Sequence, residues 1–379
     1  MDLQYDTEQV ILRDSAEKFL AERYGYRTFQ KIAESEIGWS PEIWAEFAKL
    51  GWLGLPFTPD DGGVGGGAVE ISILMEAFGK SLVVEPYLAT VLLGGSLIAS
   101  LGSASERKSL LAPVIAGEAH LAFAHEDRGL PTRATKKGKG YTLSGAKKVV
   151  LGAPMADTLL VSASLGSGTG LFVVPSTTRG VVARPYRTVE GARAGDVDLA
   201  EVSVPASALL GGNENAGAAI EEVLDRAIAA LSADAVGAID TMVKATVEYT
   251  KTRVQFGQPI AKFQALQHRM VDMKVKEEEA RASCLFATLS LDAPLAQRVR
   301  AVSGAKAKIG RNGRSVAQNA IQLHGAIGTT RELPLGGYAR RLIAYETLFG
   351  TTREHLRRYG ATIADPAVAA EALLTVAVS

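Results

Sequence analysis

Apolar residues recur along the chain in three successive rhythms, and each predicts a different kind of element. Up to about Gly117 the spacing is helical. Ile71, Leu74, Met75 and Phe78 stand at i, i+3, i+4 and i+7, which places all four on one stripe of a helix, with Gly79 following as a stop. Asp6 with Gln9 reads as a capping box, in which the N3 side chain reaches back to the cap amide. Ser40 is a good N-cap before Pro41, whose missing donor costs nothing at N1, and Ile43, Trp44 and Phe47 then form an apolar face ended by Gly51. Between these helices lies DDGGVGGG, residues 60–67. A dinucleotide-binding loop needs a strand before it and a helix opening directly from it, so the helical flanks predict a flexible turn instead.

From about Glu118 to Pro205 the pattern changes to short β-type runs, HLAFA, YTLSG, KKVVL, TLLVSA, GLFVV, GVVARPY and DVDLAEV, separated by turn residues. Such runs predict a small antiparallel barrel or sandwich rather than βαβ units. After GGNENAG at 211–217 helical periodicity returns through about Arg253, from Phe263 to Leu289, from Leu295 to Leu323, and in a shorter piece near 338–359. Long alanine-rich helices of this kind pack as a bundle. The chain therefore reads as α+β, mostly α, with a helical domain over 1–117, a β domain over 118–210 and a helical bundle over 211–379. The tail from Pro366 is rich in alanine and valine and receives no role.

Composition narrows the function classes. The chain has 379 residues, 47% apolar and 22% charged, with 41 basic and 41 acidic residues, so no net charge points to nucleic acid or an anionic membrane as a partner. Its single cysteine, Cys284, can build neither a disulfide framework nor a thiolate cluster, which suits a reducing cytoplasm. The start, MDLQYDTEQ, has no basic region followed by an apolar run, so no secretory leader is expected. The uncharged run from Pro86 to Ser105 is broken by Gly94, Gly95, Ser96, Ser100 and Gly102, which suits a buried helix and turn better than a membrane span.

The five histidines show no metal-ligand spacing, and no GxSxG elbow is present, so neither a metal site nor a serine hydrolase is expected. The informative stretch is RVQFGQPIAKFQALQHRM, residues 253–270, where one helix ends, the chain turns through Gly257 and Pro259, and another helix opens. Arg253 could pair with a phosphate, Phe256 and Phe263 could cover aromatic rings, and Gln264 or Gln267 could meet a heterocycle edge. A helical hairpin with a capping arginine is the alternative reading of the same residues.

The motif RxxFGxxIxxFQxxQ within that stretch resembles the FAD-binding signature of acyl-CoA dehydrogenases. Gln322 to Gly328, QLHGAIG, is similar to the family's QxxGGxG segment, with Ala326 in place of the second glycine. The segment YARRLIAYETLFGTTREHL at 338–356 and WLGLPFTPDDGGVGGG near residue 52 complete a collinear likeness to about Tyr359. The resemblance implies an N-terminal helical domain, a middle antiparallel β domain and a C-terminal four-helix bundle. It also implies that Arg253 and Phe256 meet the diphosphate and adenine side of an FAD in a neighbouring subunit, with Phe263, Gln264, Gln322, Gly325 and Ala326 on the cofactor too. Gly350 and Thr351 match a Gly-Thr pair beside FAD, while Ala124, His125 and Leu151 fall where the β domain would touch the isoalloxazine ring; His125 and Leu151 replace hydroxyl residues common in the family.

The implied reaction removes an α proton while hydride leaves the β carbon, so a carboxylate base is required. Phe349 occupies the family's usual glutamate position, and Ala227 the alternative one on the first bundle helix. Glu346 and Asp225 are the remaining acidic candidates, although an acidic residue on a helix is more often part of a solvated face. Wording such as GWLGLPF, MEAFG, KTRVQFG and AIQLHGAIG looks like the small subunit of pimeloyl-CoA-dehydrogenase-type enzymes, which work beside a large-subunit paralogue. The resemblance thus implies an acyl-CoA substrate, a heterotetramer or otherwise a homo-oligomer, and an electron-transfer flavoprotein as acceptor. A flavin oxidase, a non-catalytic acyl-CoA-binding or structural subunit, and an unrelated helical interaction protein with a β insert are the competing readings. The acyl group stays open, and Arg226 or Arg340 could serve a dicarboxylyl thioester.

Overall fold

The computed structural model describes residues 4–364, so the tail from Pro366 lies outside the described residues. The helices are α1 (Thr7–Arg23), α2 (Tyr26–Glu34), α3 (Pro41–Lys49), α4 (Ala68–Ser81), α5 (Ser96–Leu101), α6 (Ala104–Ile115), α7 (Gly217–Thr252), α8 (Gln264–Leu289), α9 (Leu295–His324), α10 (Leu335–Thr347) and α11 (Thr352–Ala364). The strands are β1 (Leu121–Ala124), β2 (Arg133–Lys137), β3 (Gly140–Leu151), β4 (Thr158–Leu165), β5 (Gly168–Pro175), β6 (Val181–Arg187) and β7 (Arg193–Pro205). A two-strand hairpin, β8 (Val254–Gln255) and β9 (Gln258–Pro259), follows α7. By its contacts the chain divides into two units, one of Met1–Gln30, Ala68–Val83 and Ile228–Ser379, the other of Lys31–Gly67 and Val84–Ala227.

In the first unit, the capping box of α1 forms as predicted: the Gln9 amide donates to Asp6 Oδ1 at 2.9 Å and the Asp6 amide to Gln9 Oε1 at 3.2 Å. Leu74, Met75 and Phe78 are buried on α4, joined by Ile73 and Ala77, while Ile71 is half-buried. Gly79 does not stop this helix, which runs on to Ser81. A Cβ at Gly79 would lie 1.8 Å from the Asp234 carbonyl oxygen, and one at Gly237 would lie 2.1 Å from that of Glu76. The two glycines let the α4 and α7 backbones touch. Between α8 and α9, Asn312 Nδ2 donates to the Lys276 carbonyl at 2.9 Å and to Glu279 Oε2 at 3.0 Å. The piece predicted near 338–359 is two helices, broken where Phe349 (φ 55°) and Gly350 (φ 104°) turn the chain through left-handed conformations.

In the second unit, Ser40 caps α3 through its hydroxyl, which accepts from the Ile43 amide at 3.3 Å. The glycine run at 60–67 is a packed turn rather than a flexible one. The amides of Val64, Gly65 and Gly66 donate to the carbonyls of Gly54, Phe57 and Leu55 at 2.8–2.9 Å, and a Cβ on Gly63 would lie 2.2 Å from Phe57 O. The uncharged run near 86–105 is a π-helical turn, Leu88–Gly95, leading into α5.

The sheet has the order β1-β4-β2-β3-β7-β6, with β5 paired to β4. Pairings β2–β3, β3–β7, β6–β7 and β4–β5 are antiparallel, whereas β1 runs parallel to β4, as does the single bridge Arg133–Ser164. The predicted runs YTLSG and KKVVL are one strand, β3, bulged between Lys147 and Val150 where Val149 takes φ 51°. Strand β2 escapes the pattern because only Ala134 of its five residues is buried. Leu143, Phe172, Val197 and Leu199 centre the core beneath it.

Candidate functional site

The two signature segments of the bundle meet through one ring stack. Tyr249, one turn before Arg253, stacks on His324 with centroids 4.2 Å apart and planes 21° apart, and its hydroxyl donates to the His324 carbonyl at 3.3 Å. This joins the C-terminal end of α7 to that of α9 and brings Arg253 into the neighbourhood of Gln322, Gly325 and Ala326. All four are exposed. Gly325 takes φ 67°, and no atom stands within 4 Å of where its Cβ would be, so its backbone is open to approach.

The hairpin after α7 turns through Phe256 (φ 52°) and Gly257 (φ 79°). Its register is closed by the Ile260 amide, which donates to the Arg253 carbonyl at 2.8 Å. Phe256 is 91% exposed at the tip, and its ring meets Phe263 edge-on at 6.1 Å. Gln264 opens α8 and is exposed, whereas Gln267 Nε2 is tied to the Ala261 carbonyl at 2.9 Å. A non-glycine residue in left-handed conformation and a large ring in water are both costly, and a segment built this way suits a surface that something else covers.

The loop 348–351 is pinned from beneath. Lys306, buried on α9, donates to the Tyr345 carbonyl and, at 3.1 Å, to that of Gly350, with its ammonium 4.3 Å from the Tyr345 ring centre. Burial pushes Lys306 down to about 8, opposed by Glu346 and Glu354. His355 Nε2 donates to the Phe349 carbonyl at 2.8 Å. Thr351 gives its amide (2.6 Å) and hydroxyl (2.8 Å) to Glu354, whose carboxyl is thereby held below its ordinary range. Thr351 is therefore the cap of α11.

Glu346, mostly buried, faces α9: a Cβ on Gly310 would lie 2.9 Å from its Oε2, and Arg314 stands 4.0 Å away. Asp225 is fully buried on α7 in the second unit, and Ala227 is likewise buried. Neither carboxylate stands on the 348–351 loop.

In the second unit, Ala124 is buried at the end of β1 and Leu151 is half-buried at the end of β3, paired with Ala194. His125, just past β1, stacks on Phe123 at 5.0 Å, and its Nδ1 lies 2.9 Å from Ser162 Oγ. Lys147 Nζ reaches the His125 carbonyl at 2.7 Å, Ser162 Oγ at 3.3 Å and Asp127 Oδ1 at 2.7 Å. Burial, then the Lys147 charge, push His125 down to about 4. Burial also lowers Lys147 against the pull of Asp127, while at half-buried Asp127 the bonds from Lys147 and Thr132 outweigh burial and hold the carboxyl low.

Lys306, His355, Tyr249, Lys147 and Ser162 were not singled out by the motifs. Lys306 had a signal: it occupies the apolar stripe Val299, Val302, Ile309, Gly313 at helical spacing. Lys147 had one too, standing in phase with buried Tyr141 and Leu143. Among the described residues there is no group of three or more potential metal ligands, and no helix is long and apolar enough to cross a membrane.

The chain thus combines a helical part, a mixed β sheet and a closing set of helices that carries exposed aromatic, cationic and amide side chains. Family models agree along nearly the whole chain: the acyl-CoA dehydrogenase N-terminal domain matches residues 6–118, the middle domain 126–203 and the C-terminal domain 215–363. Acyl-CoA dehydrogenase fadE12 of Mycobacterium tuberculosis is 30% identical over 72% of this chain and 74% of its own length. Acyl-CoA dehydrogenase IpdE2 of Mycolicibacterium smegmatis is 28% identical over 94% of this chain and 99% of its own. A variant of the Tcur3481-Tcur3483 steroid ACAD superposes with a TM-score of 0.86 at 29% identity, covering 95% of this chain and 98% of that one. The ChsE4-ChsE5 complex from Mycobacterium tuberculosis shares the fold, with a TM-score of 0.90 at 24% identity over 96% and 99% of the two chains. The chain belongs to the acyl-CoA dehydrogenase family, whose enzymes use FAD.

Proposed function

We propose that this chain is the small subunit of a heteromeric acyl-CoA dehydrogenase that forms a 2-enoyl-CoA, and that a large-subunit paralogue supplies the catalytic glutamate. The observation that carries the proposal is the loop 348–351. Lys306 and His355 hold it in one conformation by its carbonyls, yet its central side chain is Phe349, which can take no proton. At the other position where the family carries a base stands the buried methyl group of Ala227.

The residues present suit FAD: open backbone at Gly325, exposed Phe256, Arg253 and Gln322, and a histidine edge at the end of β1. Arg253, Phe256, Phe263, Gln264, Gln322, Gly325 and Ala326 would hold the diphosphate and adenine side of an FAD in a neighbouring subunit; Ala124, His125 and Leu151 would meet a flavin ring system from the β domain, and Thr351 belongs to the Gly-Thr pair that the family carries beside FAD. An FAD held by these residues would supply the hydride acceptor for the β carbon. This chain's residues would position the cofactor, while the partner's carboxylate takes the α proton. Electrons would pass on to an electron-transfer flavoprotein, and the chain would work in the cytoplasm. The tandem names of the ChsE4-ChsE5 complex and the Tcur3481-Tcur3483 enzyme support a two-chain assembly. The division at 1–117, 118–210 and 211–379 remains our segmentation.

The test is the visible spectrum of the chain alone and with the co-expressed large subunit, before and after acyl-CoA thioesters are added. Bleaching only with the partner is expected. Bleaching and normal turnover by the chain alone would overturn the division of labour.

A further inference from the structure

The buried cluster behind His125 is used by neither the motif reading nor the reaction scheme, and its hydrogen bonds run in one direction. Lys147 Nζ has three N–H donors and three acceptors around it: the His125 carbonyl (2.7 Å), Asp127 Oδ1 (2.7 Å) and Ser162 Oγ (3.3 Å). An ammonium only donates, so Ser162 Oγ accepts from it. The Ser162 proton is then free to go elsewhere. Of the acceptors in reach, the carbonyls of Ala124 and His125 lie at 3.5 Å, whereas His125 Nδ1 lies at 2.9 Å. Ser162 therefore donates to Nδ1, and a neutral imidazole whose Nδ1 accepts must carry its proton on Nε2.

Asp127 steadies the arrangement, since its Oδ1 also accepts from the Thr132 amide (3.0 Å) and hydroxyl (2.7 Å). The bulge at Val149 interrupts the pairing of β3 with β7 just beyond Lys147. Phe123 stacked on the imidazole fixes its plane. Nε2 has no partner among the described residues.

We propose that His125 is a hydrogen-bond donor of fixed tautomer, presenting Nε2–H to an acceptor atom of the flavin ring system, with Ser162, Lys147 and Asp127 as its positioning residues. The assignment of the acceptor rests on the FAD reading; the tautomer does not. Burial and the neighbouring Lys147 charge keep the imidazole neutral throughout the physiological range, with Asp127 as the opposing charge.

The flavin-free chain, labelled with nitrogen-15 in its histidine rings, tests the tautomer by two-bond nitrogen–proton correlation between pH 5 and 8. His125 should show a protonated Nε2 and an unprotonated Nδ1 throughout. Ser162→Ala should abolish the single-tautomer pattern and Ser162→Thr should restore it. A wild-type Nδ1–H tautomer, or an imidazolium at pH 7, overturns the proposal without any variant. On the reconstituted protein, His125→Leu should shift the flavin absorption bands and raise the FAD dissociation constant roughly tenfold, as loss of one hydrogen bond would. If wild-type protein binds no FAD, the functional reading fails and the acceptor assignment with it. If FAD binds but His125→Leu changes neither spectrum nor affinity, this inference fails while the FAD reading stands.

Discussion

Replacing Gly79 by alanine sets two effects of opposite sign against each other. Alanine is a better helix former than glycine by about 1 kcal/mol, so a glycine placed inside α4 by default would be improved by the change. At this site, however, the new Cβ would lie 1.8 Å from the Asp234 carbonyl oxygen, against the 3.4 Å at which ordinary contact begins. The obstacle is backbone, which no rotamer change can clear. Helices α4 and α7 would have to separate by about 1.6 Å, the difference between those distances. The reciprocal site is no looser, since a Cβ on Gly237 would lie 2.1 Å from the Glu76 carbonyl. A gap of 0.5–1 Å forfeits a quarter to a half of a dispersion contact, and overpacking costs about 1–3 kcal/mol in well-packed cores. Packing should win, leaving Gly79→Ala destabilised by up to about 2 kcal/mol. The control is Gly360, inside α11 with nothing within 4 Å of its would-be Cβ; Gly360→Ala should stabilise by about 0.5–1 kcal/mol. Urea unfolding followed by far-UV circular dichroism, with hydrogen exchange on α4 and α7, reads both. A raised midpoint for Gly79→Ala would refute the close-packed crossing and return Gly79 to the role of a misplaced helix stop.

Three further outcomes are expected. Arg253→Ala should weaken FAD retention about 10- to 100-fold, the worth of a charge-assisted phosphate bond, and Phe256→Ala should weaken it with no loss of fold stability because that ring is 91% exposed; flavin fluorescence during equilibrium dialysis measures both. His125 titrates near 6.5 unfolded and about 4 folded, so between those values the unfolded state binds more protons and stability falls as the pH falls. The deficit below pH 4 is about 3 kcal/mol, and paired urea titrations of wild type and His125→Gln should differ by that slope in that window alone. Phe349→Glu should let the isolated, FAD-loaded chain be bleached by its acyl-CoA about 10²- to 10⁴-fold faster, the usual contribution of a general base, as measured by stopped flow.

Much of the helical architecture and most strands were legible because burial there follows a simple period, as in α4 and in the caps of α1 and α3. Elements that departed did so for local reasons. Gly79 looked like a terminus because the sequence does not show that another backbone presses on it. The glycines at 62–66 looked loose for the same reason, although they permit amide-to-carbonyl contacts with 54–57. Strand β2 was hidden because it buries one side chain, and the parallel β1–β4 pairing because register is not written in hydropathy. At the candidate site, motifs found exposed side chains such as Arg253, Phe256 and Gln322. They did not find Lys147, Lys306 or His355, each of which donates to at least one backbone carbonyl that no side-chain pattern records.

The two buried lysines bear on what kind of subunit this is. Moving an ammonium from an ordinary value of 10.5 to about 8, as at Lys306, represents about 3 kcal/mol set against the charged form in the folded state. A methionine in that stripe would avoid the desolvation but leave the Tyr345 and Gly350 carbonyls without their donor. Lys147 repeats the arrangement in the other unit, holding the His125 carbonyl beside an imidazole edge that nothing among the described residues occupies. In both places costly interactions fix the backbone of a segment proposed to border the flavin, and in neither is there a carboxylate placed to take a proton. A chain that only filled space would gain from apolar replacements at both lysines, and a self-sufficient dehydrogenase would need a base either on the loop that Lys306 holds or at the position of Ala227. Rigid cofactor-facing segments without a base are what a subunit requires when its share of the work is to shape the flavin site and the proton is taken by another chain.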